Sequence, residues 1–65
     1  MTRELLNRMP KQVVDAIEKY RMECRDGFHE KADVRARLSS YVMGLRDAGM
    51  ITEYERKVLF VYGTV

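Results

Sequence analysis

Sixty-five residues, 46% apolar and 34% charged, make one small globular domain, too short for a barrel or a doubly wound sheet and too apolar for a disordered chain. Twelve Lys and Arg against ten Asp and Glu leave a formal charge of +2, and the signs interleave: six basic and five acidic groups over residues 1–26, four and three over 27–49, two and two over 50–65. No segment is a basic arm for nucleic acid or an acidic tail.

Pro10, Gly27, Gly49 and Gly63 cut the chain into helix-sized pieces. Thr2 is placed to cap a first short helix over residues 2–8, with Leu5, Leu6 and Met9 on its apolar side. Pro10 disfavours helical geometry at Met9 and suits the first turn of the next helix. That second helix is predicted over 10–25, because Val13, Val14, Ile17, Tyr20 and Cys24 recur at steps of three and four. Asp15–Lys19 and Lys19–Glu23 are i,i+4 pairs expected on its wet side. Gly27 is free to adopt the left-handed conformation that stops it.

The third helix carries the strongest periodicity. Val34, Leu38, Tyr41, Val42, Leu45 and Ala48 form one stripe over 30–48, and Asp33–Arg37 supports the exposed side. Gly44 lies inside this helix, where it costs about 1 kcal/mol relative to Ala. Either the cost is tolerated or another helix crosses closely there. Gly49 ends the helix. Thr52 and Glu55 then form a T-x-x-E capping box that starts a fourth helix over 53–62, with Glu53–Lys57 as an internal pair.

The end of that helix departs from amphipathic patterning. Val58, Leu59, Phe60, Val61 and Tyr62 are consecutive apolar residues. Three explanations stand: the segment is wedged into the centre of the fold, it is an interface, or it is a short strand, since Val, Phe and Tyr favour strands.

From Leu38 to Leu59 the chain reads Leu-x6-Leu-Arg-Asp-Ala-Gly-Met-Ile-Thr-Glu-Tyr-Glu-x3-Leu. This stretch resembles the short C-terminal helical-hairpin (SHOCT) domains, which have a leucine-periodic helix, a Gly-x-Ile-Thr turn and a Glu-rich second helix. Gly49, Ile51, Thr52, Glu53 and Glu55 match the turn, whereas Arg56 stands where the family has Phe. The match covers about a third of the chain. It implies a helical hairpin and a role in oligomerisation, and no chemistry.

The residues themselves offer little chemistry. Cys24 and His29 could supply two metal ligands where a structural zinc site needs four, so Cys24 is read as a small core hydrophobe and His29 as a structural or surface residue. Ser39 and Ser40 lie mid-helix with no histidine at a suitable spacing, and no glycine-rich loop could cradle a phosphate. No catalytic residue, cofactor, metal or small-molecule substrate is expected, and the protein is read as no enzyme.

The Leu45–Val58 corner superficially matches a DNA-reading helix-turn-helix, but its second helix opens with Glu53, Tyr54 and Glu55, whose two carboxylates repel phosphate. Lys31, Arg35, Arg37 and Arg46 could still touch a phosphate backbone without reading sequence. No apolar run approaches the roughly 20 residues that span a bilayer. Arg3, Glu4, Asn7 and Arg8 interrupt any signal-peptide core, and a lone Cys24 fits a reducing compartment. A cytoplasmic protein without a membrane partner is expected.

The expectation is thus a single all-α domain over 1–65: a small bundle of three main helices plus a short N-terminal one, built on an antiparallel helical hairpin. Its expected role is a non-enzymatic protein-interaction module, a homodimer or the partner of another protein, in the style of a small regulator or inhibitor from a phage or mobile element. Tyr54, Leu59, Phe60 and Tyr62 are the expected contact, since tyrosine offers apolar area with a polar tip. Met22 and Met43 fall off the stripes and are candidates for exposed, adaptable contacts. Weak, sequence-nonspecific nucleic-acid association through Lys31, Arg35, Arg37 and Arg46 is the alternative.

Overall fold

The computed structural model describes residues 2–65. Four helices follow one another: α1 (Thr2–Arg8), α2 (Lys11–Arg25), α3 (Lys31–Asp47) and α4 (Glu53–Thr64). The described residues form no strand, which removes the strand reading of Val58–Tyr62. Thr2 is itself helical rather than a cap. Pro10 sits at the N-cap of α2, where its carbonyl accepts from Val13 and Val14.

Side-chain pairs fix how the helices run. Tyr20 of α2 meets Tyr41 of α3 with ring centroids 5.9 Å apart, and Glu23 meets Arg37 at 3.0 Å, so these two helices are antiparallel. Glu18 and Arg21 both reach Tyr62, and Arg25 Nε donates to the Val65 carbonyl at 3.0 Å, so α2 and α4 run in the same direction. Arg8 pairs with Glu55, which ties the end of α1 to the start of α4. One end of the bundle therefore holds the end of α2, the α2–α3 loop and the end of α4. The other holds the Pro10 and Gly49 corners.

The core is built from the predicted stripes. Ile17, Val34, Leu38, Val42 and Leu59 are fully buried, and Leu5, Val13, Leu45 and Ile51 close it. Cys24 is a buried free thiol on the α2 stripe. Ala48 stands outside it, exposed at the C-cap of α3.

The corner between α3 and α4 follows its local chemistry. Gly49 has φ +78°, its N–H donates to the Arg46 carbonyl at 2.9 Å, and the Met50 N–H donates to Leu45 at 3.0 Å. This is a Schellman closure, in which a left-handed glycine lets the last carbonyls find donors. Thr52 Oγ1 accepts from the Glu55 N–H at 3.1 Å, and Glu55 accepts from the Thr52 N–H at 2.9 Å, completing the capping box. Gly27, at φ +77°, plays the same left-handed role after α2.

Two glycines differ from their sequence reading. Gly44 faces open space, with nothing within 4 Å of a Cβ placed there, so its helical cost is simply tolerated. Gly63 does not end α4. It is buried inside the helix, and a Cβ there would lie 2.5 Å from Leu38 Cδ2. The close helix crossing is at Gly63, where α4 passes α3, and α4 runs on to Thr64, whose hydroxyl donates to the Phe60 carbonyl at 2.9 Å.

The ion pairs also differ. Asp15 accepts from Lys11 at 2.8 Å rather than pairing with Lys19, and Glu23 is buried and turned toward α3. Asp33–Arg37 forms as expected, at 3.2 Å. Glu53 binds Arg46 and Arg56 instead of Lys57, at 2.6 and 2.7 Å. A guanidinium offers several donors in a fixed fork, which lets it bridge helices better than lysine does.

Candidate interaction surface

The apolar run Val58–Tyr62 is divided by its helix. Leu59 is 0% exposed at the centre of the core, so it takes no part in a surface contact, and its expected place in the interface is corrected. Phe60 is half-buried against the same core. Tyr62 is also half-buried, and its hydroxyl is held inside the protomer. It donates to Glu18 and accepts from Arg21 Nη1 at 3.1 Å, while the Arg21 guanidinium carbon lies 4.4 Å from the ring centroid. The Glu18 carboxylate, and then burial, raise the Tyr62 hydroxyl above the ordinary tyrosine range. Arg21 Nε is buried without a hydrogen-bond partner among the described residues. Tyr54 is exposed at the opposite end of α4. The four expected contact residues therefore do not form one surface.

The apolar surface at the C-terminal end of α4 is Val61, 59% exposed, and Val65 just beyond it. With Val58, Tyr62, Lys57 and Thr2 these line a shallow groove of about 410 Å³ whose walls are almost wholly apolar. Among the described residues Lys57 is its one ionic group, and it has no polar partner there.

The residue that sequence reasoning passed over is Phe28. It lies in the α2–α3 loop and is 92% exposed. Asp26 fixes the loop beneath it, accepting from the Phe28 N–H at 2.8 Å and the His29 N–H at 3.2 Å, with His29 Nδ1 2.7 Å from its other oxygen. The Phe28 N–H and His29 hold the Asp26 carboxyl below the usual carboxylate range. His29 lies at the surface, as expected, with Nε2 3.9 Å from Glu23. Met22, one turn before the end of α2, is 70% exposed. A large aromatic between a helix-stopping glycine and a histidine was the available signal, obscured because a loop has no periodicity to violate.

The four candidate phosphate contacts differ in their surroundings. Arg37 is held by Glu23 and Asp33, and Arg46 by Glu53 and Asp47, which raises both guanidinium groups above their ordinary range even against desolvation. Lys31 and Arg35 are exposed. No group of three His, Cys, Asp or Glu able to hold a metal occurs among the described residues, and none of their helices is long and apolar enough to cross a membrane. No family model, curated protein or solved structure matches the chain.

Proposed function

We propose that this protein is a small non-enzymatic interaction module that self-associates through the end of α4. The observation that carries this reading is the apolar groove along Val58, Val61 and Val65, exposed on a helix whose opposite side is core. Exposed, contiguous apolar surface favours burial by about 25 cal/mol per Å², and a domain this small has little core of its own. Self-association covers the groove and adds to that core. The resemblance of the Gly49–Glu55 turn to oligomerising helical hairpins supports the same role, which suits a small regulator acting by contact rather than catalysis.

The test is light scattering behind a sizing column over a hundredfold concentration range, on the natural chain and on Val61→Asp. A mass approaching twice that of the chain, returned to one chain by Val61→Asp with the helical content unchanged, is the expected result. A single-chain mass at every concentration overturns the proposal.

A further inference from the structure

We infer that the groove at the end of α4 receives Phe28 from a second copy of this chain, the two copies exchanging their Phe28 side chains across a two-fold axis. This deepens the self-association reading and rests on it.

The first support is self-complementarity in size. Phe28 is a nearly naked aromatic ring, 92% exposed, on a protein whose other phenylalanine is packed against the core. Such rings are the usual anchors of protein contacts, seated in apolar pockets. A cavity of about 150 Å³ already accepts a benzene ring. The groove of about 410 Å³ lined by Val58, Val61 and Val65 has room for the ring and for part of the neighbouring loop.

The second support is placement. Arg25 Nε donates to the Val65 carbonyl, so the end of α2 touches the end of α4. Phe28 is three residues after Arg25, and three residues of chain reach at most about 11 Å. Knob and groove thus share one end of the bundle. Had they stood at opposite ends, insertion would run head to tail and build an open chain of copies. On one end, a two-fold axis lets each copy insert its ring into the other, and the assembly closes as a dimer.

The third support is charge. Among the described residues Lys57 is the sole ionic group of the groove and has no partner. Glu30 stands two positions after Phe28, and its carboxylate is exposed with no partner among them. Glu30 and Lys57 are thus opposite charges beside the two halves of the proposed contact, which pairs them across the two copies. Opposite charges at the rim fix register and discourage wrong partners.

The loop is also preordered. Asp26 pins the Phe28 and His29 backbone amides, and Gly27 supplies the left-handed turn at no steric cost. The knob is therefore presented without a large ordering cost on binding.

The experiment is sedimentation of the full chain over a wide concentration range, comparing the natural protein with Phe28→Asp, Val61→Asp, Glu30→Lys, Lys57→Glu and the Glu30→Lys/Lys57→Glu double variant. Phe28 and Glu30 contact little within the protomer, so circular dichroism melts of the diluted chain verify that the fold is kept. Two rings leave the interface in Phe28→Asp, each contributing at least about tenfold, so the dimer dissociation constant rises about a hundredfold or more. Each single charge reversal weakens the dimer about tenfold, and the double variant restores it to within about threefold. A natural dimer that Val61→Asp breaks but Phe28→Asp leaves intact overturns the exchange of rings while keeping the groove as the interface. A double variant no tighter than the singles overturns the Glu30–Lys57 register. A natural chain that stays single at every concentration overturns both this inference and the self-association beneath it.

Discussion

One substitution, Gly→Ala, is expected to have opposite signs at two helical positions. At Gly44 the added methyl meets nothing within 4 Å, so the change only removes the conformational freedom of glycine in the unfolded chain. The gain is about 0.5–1 kcal/mol. In a domain of this size that raises the melting temperature by about 3–6 °C. At Gly63 the same methyl falls 2.5 Å from Leu38 Cδ2, whereas carbon atoms rest about 3.5–4.0 Å apart. Leu38 is fully buried, so its branch or the helix itself must move for the methyl to fit. Either it leaves its rotamer, at about 0.5–1.5 kcal/mol, or the helices part, with an overpacking cost of about 1–3 kcal/mol. The helix-propensity gain is small so near the end of α4. The net result is a loss of about 1–2 kcal/mol, a fall of about 5–15 °C. Far-UV circular dichroism melts at one protein concentration, which holds any self-association constant, read both variants. In a Leu38→Val background the Gly63→Ala penalty shrinks, because the obstructing branch has been shortened. A Gly63→Ala protein that melts higher than the parent would refute the α3–α4 crossing. One in which Gly44→Ala melts lower would refute the open face of α3.

Four further outcomes follow from the same geometry. Thr52→Ala removes the hydroxyl that accepts from Glu55 and costs about 1 kcal/mol by urea unfolding, while Thr52→Ser keeps most of it. Glu53 is held down to about 2 by Arg56 and then Arg46, from an ordinary value of 4.5. Its folded value is the lower one, so its stabilisation is fully present above 4.5 and is lost as pH falls toward 2; Glu53→Gln flattens that part of the melting profile. Leu59→Ala costs about 2–5 kcal/mol, close to the whole stability of so small a core, and leaves the chain largely unfolded by circular dichroism, whereas Val61→Asp stays folded. Tyr62→Phe deletes the hydroxyl shared by Glu18 and Arg21 and lowers stability by about 1 kcal/mol in the same assay.

The fold was legible wherever a helix repeats its pattern or a turn needs a particular residue. Val34, Leu38, Val42 and Leu45 announce α3, and Gly49 with Thr52–Glu55 announces the corner that follows it. The bridging contacts were not. Whether Glu23 meets Lys19 on its own helix or Arg37 on the next depends on the crossing of α2 and α3, which no local spacing encodes. Gly63 misled because glycine near a helix end usually marks a stop. Here its missing side chain admits Leu38, a demand set by a residue 25 positions earlier. The candidate surface was half legible: the run Val58–Tyr62 drew notice to α4, but only the helix decides that Leu59 turns inward and Val61 outward.

That division explains why α4 can be apolar nearly all round. A helix lying on the outside of a bundle needs one apolar stripe. α4 instead touches each of the other three helices. Leu59 faces the shared core, Gly63 lets α3 approach, and Tyr62 is clasped by Glu18 and Arg21 of α2. Arg8 of α1 crosses to Glu55 at its start. Three neighbours cover most of its C-terminal half, and Val61 with Val65 is the apolar surface they leave uncovered there. The core reading of the apolar run and the interface reading are therefore compatible. They describe different residues of one helix, two positions and about half a turn apart, so a variant at Leu59 probes folding and a variant at Val61 tests the proposed association.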